Sequence, residues 1–174
     1  MAEVLQTYRR YEVLGGRGGD YYLMLALLLK GEPERALEKL DSLPKDSQGH
    51  PQMLAARAMI MHDLGRHEES KAALRKIAGQ LNEDARDEPY LVAEAYAWIG
   101  QIDAAFLWLE KAYALDERYG TKGLWFQRIM FLPIWQKLHN DPRWNELRER
   151  MNFSQSRLDR LEFTIPPWIT ASVE

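Results

Sequence analysis

The sequence predicts an all-helical protein built from repeated pairs of helices, and three observations support that class. Three glycines, Gly31, Gly65 and Gly100, recur at intervals of 34 and 35 residues. Four other positions repeat at the same intervals. The apolar residues that follow each glycine are spaced as on one face of a helix. A regular interval of this length is typical of repeat proteins in which each unit is one pair of helices.

The repeating positions divide the chain into units of 17–50, 51–85 and 86–119. The one extra residue of the second interval falls in the linker around residues 84–87, where an insertion costs little. The four further repeating positions are Leu27, Met61 and Tyr96; Ala36, Ser70 and Ala105; Leu40, Leu74 and Leu109; and Leu43, Ile77 and Ala112.

Each unit predicts a helix that ends at its glycine, a short turn, and a second helix. Glycine ends helices because it adopts the left-handed conformation without the steric cost of a Cβ atom. In the first unit, Pro33 suits the first turn of the second helix, where an N–H group has no partner within the helix. Small residues early in the second helices allow two helices to pack closely.

The spacing of the units and the order of their aromatic, glycine, alanine and leucine residues resemble those of the tetratricopeptide repeat (TPR) family. The third unit is most similar, with Tyr90, Tyr96, Gly100, Ala105 and Leu109 in the family's order. The family's tryptophan near the start of each unit is absent. The resemblance covers residues 17–119 and implies a right-handed α–α superhelix of three helix pairs.

The two ends of the chain are predicted to complete one domain over residues 1–174. Residues 1–16 form an N-terminal helix and a Gly-rich joint, which lacks the Gly-Lys-Ser/Thr ending of a phosphate-binding loop. Residues 120–163 form a helical cap, in which Asp141 is the N-cap and Pro142 begins a helix. Residues 164–174 form a tail. The stretch 138–151 resembles segments that follow such repeats in bacterial signalling proteins.

Composition argues against several function classes. The net charge is −3 and the pI is about 5.9, so no basic face for nucleic acid is expected. Without cysteine, the chain has no disulfide framework and no thiolate metal site. The strongest apolar run, residues 21–29, is too short to cross a bilayer. We therefore expect a cytoplasmic protein with no nucleic-acid or membrane partner.

Catalytic patterns are not recognisable in the sequence. His62 and His67 are five residues apart near a helix end, so they do not share a helical face as an i, i+4 metal pair does. We predict no enzyme activity, no metal and no cofactor. A metal or catalytic site that uses His62, His67 and nearby acids is the alternative hypothesis.

The resemblance implies that the first helix of each unit lines a concave groove. The predicted groove residues are Tyr21, Tyr22, Leu25, Gln52, Met59, His62, Tyr90, Glu94 and Trp98. Family members that bind chaperones hold a terminal carboxylate with Lys, Arg and Asn, and none of these types occurs in this set. An apolar or amphipathic peptide of a protein partner is therefore predicted, with Gln52, His62 and Glu94 as polar contacts.

A second hypothesis assigns the same apolar residues to a core or to self-association. The tail 164–169 is apolar enough to occupy a groove, either in its own chain or in a second copy. The protein would then be a homodimer, or a dimerising or structural domain of a larger bacterial signalling or regulatory protein.

Overall fold

A computed structural model describes residues 19–80, 88–119 and 132–151 of the chain. Within these residues all regular structure is helical, which confirms the all-helical class. Several predicted segments lie outside the described residues. These are the N-terminal helix with its Gly-rich joint, the linker at 81–87, the parts of the cap at 120–131 and 152–163, and the tail at 164–174. The helices are α1 Gly19–Leu29, α2 Pro33–Asp41, α3 Lys45–Gln48, α4 Pro51–Asp63, α5 His67–Gln80, α6 Glu88–Trp98, α7 Ile102–Tyr119, a 3₁₀ helix Pro133–Leu138, and α8 Pro142–Arg150.

The three repeating glycines each end a helix in the left-handed conformation. Their φ angles are 71° at Gly31, 73° at Gly65 and 80° at Gly100. A Cβ atom at these positions would meet nothing within 4 Å. The backbone conformation, and not close packing, therefore requires these glycines. This confirms the prediction that they end helices by adopting the left-handed conformation.

All three turns have the same hydrogen bonds, which are those of a Schellman motif. At the first turn, the N–H of Gly31 donates to the carbonyl of Leu28 at 2.9 Å, and the N–H of Glu32 donates to Leu27 at 3.0 Å. The carbonyl of Glu32 then accepts from the N–H of Ala36 and so begins α2. One local motif thus involves two of the repeating positions. They are the glycine itself and the residue four positions before it, whose carbonyl accepts the second bond.

The helices pack as three sequential pairs: α1 with α2, α4 with α5, and α6 with α7. The first helices also pack on their neighbours, α1 on α4 and α4 on α6. The repeating apolar and small residues supply much of the core between them. The buried members are Leu27, Met61, Ala36, Ser70, Ala105, Leu40, Leu74, Leu109, Ile77 and Ala112.

The second helix of the first pair is shorter than the repeat predicts. It ends at Asp41, and Leu43 lies after it and is only partly buried. Pro44 explains the difference, because a proline disfavours helical conformation in the residue before it. The short helix α3 follows, and it packs on α4.

The second pair has a serine, Ser70, where the other two pairs have Ala36 and Ala105. Ser70 is buried, and its Oγ donates to the carbonyl oxygen of Ala58 at 2.7 Å. This bond satisfies the buried hydroxyl, which would otherwise be costly. The contact also joins α5 to α4.

The chain divides into two compact units, 1–138 and 139–174, and the division falls inside the predicted cap. In the first unit, the 3₁₀ helix packs on α6 and buries Ile134, Trp135 and Leu138. In the second unit, Asp141 is the N-cap of α8, as predicted, and its side chain accepts from the N–H of Arg143 at 3.0 Å.

None of the helices in the described parts of the chain has the length and apolar character that crossing a bilayer requires.

Candidate functional site

The nine predicted groove residues fall into a buried group and a group with exposed surface. The buried residues are Tyr21, Leu25, Met59, Tyr90 and Glu94. The residues that keep exposed surface are Tyr22, Gln52, His62 and Trp98. Direct contact with a partner is therefore open only to the second group.

Two buried tyrosine–carboxylate bonds explain why part of the first group is inside. The hydroxyl of Tyr21 donates to Glu94 Oε2 at 2.5 Å and joins α1 to α6. The hydroxyl of Tyr90 donates to Asp116 Oδ2 at 2.8 Å and joins α6 to α7. Glu94 was predicted as an accessible polar contact, whereas it is 2% exposed and its carboxylate is bonded inside the protein. Buried carboxylates require such partners.

Two of these accessible side chains, His62 and Trp98, lie where α4 and α6 end. We call this the helix-end surface and define it as His62, Asp63, His67, Trp98 and Lys137. The indole Nε1 of Trp98 donates to Asp63 Oδ1 at 2.9 Å. The ammonium group of Lys137 donates to the carbonyl oxygen of Trp98. The side chains of three elements are thus fixed together at an exposed edge.

The two imidazoles of this surface lie side by side across the Gly65 turn. The ring centroids of His62 and His67 are 5.2 Å apart, although they belong to different helices. As expected from their spacing, they do not share one helical face, but the sequence gives no sign that the turn brings them together. The Schellman turn joins α4 to α5 through three residues, 64–66, and this short connection accounts for the approach.

Desolvation is the main influence on the pKa of His62. Partial burial lowers its pKa from the ordinary value of 6.5, because the charged form loses hydration. The neighbouring Asp63 acts in the opposite direction and favours the charged ring. The positive charges of His67 and Lys137 lower the pKa further. The site therefore favours a neutral imidazole at His62, which can both donate and accept a hydrogen bond.

The described residues hold no group of three or more His, Asp or Glu side chains placed to bind a metal ion. His62, His67 and Asp63 lie close together but do not form such a group. The acidic residues Glu83, Asp84 and Asp87 of the linker lie outside the described residues. The chemistry that the helix-end surface offers is hydrogen bonding and aromatic contact at a fixed geometry.

The sequence contains a signal for one contact that was missed. Asp63 and Trp98 are 35 residues apart, which is the second repeat interval, and each stands two positions before its glycine. Equivalent positions of adjacent repeats lie next to each other when the first helices pack side by side. The repeat alignment alone could therefore have paired the two residues. Lys137 has no such signal, because it lies beyond the repeats.

Comparisons of the chain with protein-family models, with curated proteins and with solved structures give no match.

Proposed function

We propose that the chain is a non-catalytic protein–protein interaction module of the tetratricopeptide-repeat kind. In this proposal the three helix pairs form a right-handed α–α superhelix, and the first helices line a groove that binds an apolar or amphipathic segment of a partner. Three equivalent Schellman turns, at intervals of 34 and 35 residues, support the architecture. The packing of α1 on α4 and of α4 on α6 also supports it.

The observation that carries the binding proposal is the fixed, partly exposed indole of Trp98. Its Nε1 is held by Asp63 and its backbone carbonyl by Lys137, so a partner would meet an aromatic ring that is already oriented. Tryptophan is enriched among residues that dominate binding energy. A preorganised ring also reduces the entropy that is lost on association.

The exposed members of the predicted groove define the contact. Tyr22 is 40% exposed, and Gln52, His62 and Trp98 keep partial exposure. The rings offer apolar area, whereas the amide and the imidazole offer hydrogen bonds. A partner helix with one apolar and one polar face matches this combination.

Peptide selection followed by mutation tests the proposal. Amphipathic peptides are selected from a displayed library against the full chain, and their dissociation constants are measured by fluorescence polarisation. Trp98→Ala is expected to raise the dissociation constant of the selected peptide by at least about tenfold while the far-ultraviolet circular dichroism is unchanged. The matched control is Trp108→Ala, which removes a partly exposed indole of α7 and should leave affinity unchanged. Equal affinity of wild type and Trp98→Ala contradicts the proposal.

Self-association is the second candidate, and the exposure of Leu107 favours it. This leucine of α7 is 57% exposed. A second copy could cover it, and a dimerising domain of a larger signalling protein would use such a contact. Light scattering over a range of concentrations tests the idea. A dimer that dissociates in Leu107→Gln, or after deletion of 164–174, supports it, whereas a monomer at all concentrations contradicts it.

A further inference from the structure

A cavity of about 430 Å³ lies between α3, α4 and α5, and none of the helix-end residues lines it. Three cationic side chains line it, and each comes from a different helix: Lys45 from α3, Arg57 from α4 and Lys76 from α5. Three positive groups around one concavity repel one another unless an anion or solvent compensates them. The arrangement therefore raises the question of which anion the cavity suits.

The acidic group in the lining does not neutralise these cations. Glu69 is the carboxylate that lines the cavity, and both of its oxygens accept from Arg66 at 2.7 Å. That bidentate pair lowers the pKa of Glu69 and compensates its charge. Within the described residues, Lys45 and Lys76 make no ion pair. Arg57 is paired with Asp41, so the uncompensated positive charge of the lining comes from Lys45 and Lys76.

Arg57 is positioned but keeps free donors. Its Nη2 donates to Asp41 Oδ1 at 3.2 Å and to Gln48 Oε1 at 3.4 Å. In the described part of the chain these are its hydrogen bonds, so Nε and Nη1 have donors to spare. A guanidinium edge of this kind suits two oxygens of one anion.

Beside Gln48 and Gly49, the rest of the lining is apolar and suits an organic group. Leu54 comes from α4, and Ala72 and Ala73 come from α5. The volume lies within the range of roughly 300–1,000 Å³ that is usual for small-molecule sites. It exceeds what a single inorganic anion fills, because one water molecule occupies only about 30 Å³ in the liquid.

We propose that this cavity binds a small organic phosphomonoester. Its dianionic phosphate would be held by Lys45, Arg57 and Lys76, and its organic part would lie on Leu54 and the two alanines. A phosphate group carries about −1.5 to −2 charges at neutral pH and three acceptor oxygens, which suits three cationic side chains that line one cavity. A carboxylate has one charge and two oxygens, so it satisfies the same lining less completely.

Titration with three probes tests both parts of the ligand. The probes are phenyl phosphate, inorganic phosphate and benzoate, and binding is followed by backbone amide shifts of the full chain in nuclear magnetic resonance spectra. We expect saturable shifts at Gly49, Ala72 and Ala73, with phenyl phosphate binding at least about tenfold more tightly than benzoate. Inorganic phosphate is expected to bind the same residues more weakly than phenyl phosphate, because it leaves the apolar lining uncovered.

Charge-matched variants identify the cations that bind. Lys76→Gln and Arg57→Gln should each weaken the binding of phenyl phosphate by about tenfold. Arg75→Gln removes the same charge from the residue next to Lys76 and should leave this binding unchanged. Lys76 is exposed and makes none of the structural bonds that Arg57 makes, so Lys76→Gln keeps the test valid if Arg57→Gln unfolds. The proposal is contradicted if no saturable binding is seen, if benzoate binds as tightly, or if Lys76→Gln and Arg75→Gln bind alike. These results are independent of Trp98 and its peptide.

Discussion

The hydroxyl of Tyr21 donates a 2.5 Å hydrogen bond to Oε2 of Glu94, and both side chains are buried. The two residues are 73 positions apart, so the bond directly joins the first helices of the first and third pairs. In a linear repeat array each unit contacts mainly its neighbours. This bond therefore couples the first and third pairs directly.

Tyr21→Phe is predicted to destabilise the protein by about 1.5–3 kcal/mol, because it removes a donor to a buried carboxylate while leaving the ring in place. The free energy of unfolding, measured in urea, checks this value. Tyr113→Phe is the matched control. Its hydroxyl donates to Glu117 within α7 at an exposed position, and its loss should cost less than about 0.5 kcal/mol. Similar small losses in both variants would show that the Tyr21 bond contributes little.

Two glycine substitutions are predicted to have opposite effects. Gly65→Ala places a Cβ at a φ of 73° and should destabilise by about 1–2 kcal/mol. Gly79→Ala, inside α5, should stabilise by about 0.5–1 kcal/mol, because alanine restricts the unfolded chain and favours helix. Neither new Cβ meets an atom within 4 Å, so packing does not confuse the comparison. Thermal unfolding of both variants checks the signs, and equal signs would contradict the backbone argument.

Acid is predicted to destabilise the first unit in part through His62. Because the folded pKa of His62 is lowered from 6.5, the unfolded chain takes up this proton first as the pH falls. The free energy of unfolding should therefore decline as the pH drops through 6.5 and continue to decline until the folded pKa is passed. His62→Gln should remove this part of the decline. Direct titration of the imidazole by nuclear magnetic resonance checks the direction, and a folded pKa above 6.5 would reverse the prediction.

The N-cap of α8 provides a local prediction in the second unit. Asp141→Ala should weaken α8 by about 0.5–2 kcal/mol, because the N–H of Arg143 loses its acceptor. Asp141→Asn should retain most of the stability, since asparagine is an equally good N-cap. Hydrogen exchange of the α8 amides distinguishes the two variants. Equal protection in Asp141→Ala and wild type would show that the cap does not limit opening.

The features that were predictable from the sequence depend on local chemistry. Gly31, Gly65 and Gly100 end helices because of their own conformational freedom, and Asp141 caps a helix through a residue two positions away. Even the early end of α2 is a local effect, since Pro44 follows directly on Leu43. Such signals need no knowledge of how distant segments meet.

The features that were not predictable depend on distant contacts. Tyr21, Met59 and Glu94 lie on the helices predicted to line a groove, but periodicity alone does not distinguish a groove face from a core face. Their burial depends on packing between segments far apart in sequence, such as α1 with α6 through the Tyr21–Glu94 bond. The cationic cavity was missed for the same reason, because Lys45, Arg57 and Lys76 form no sequence motif.

The most direct test of the proposed function is the affinity of a selected peptide for a triple variant, Tyr22→Ala/His62→Ala/Trp98→Ala. This variant should keep its helicity and bind the peptide more than about a hundredfold more weakly, because three exposed contacts are removed together. The control variant Trp108→Ala should bind as wild type does. Full affinity in the triple variant would contradict the claim that the exposed residues of the first helices bind a partner.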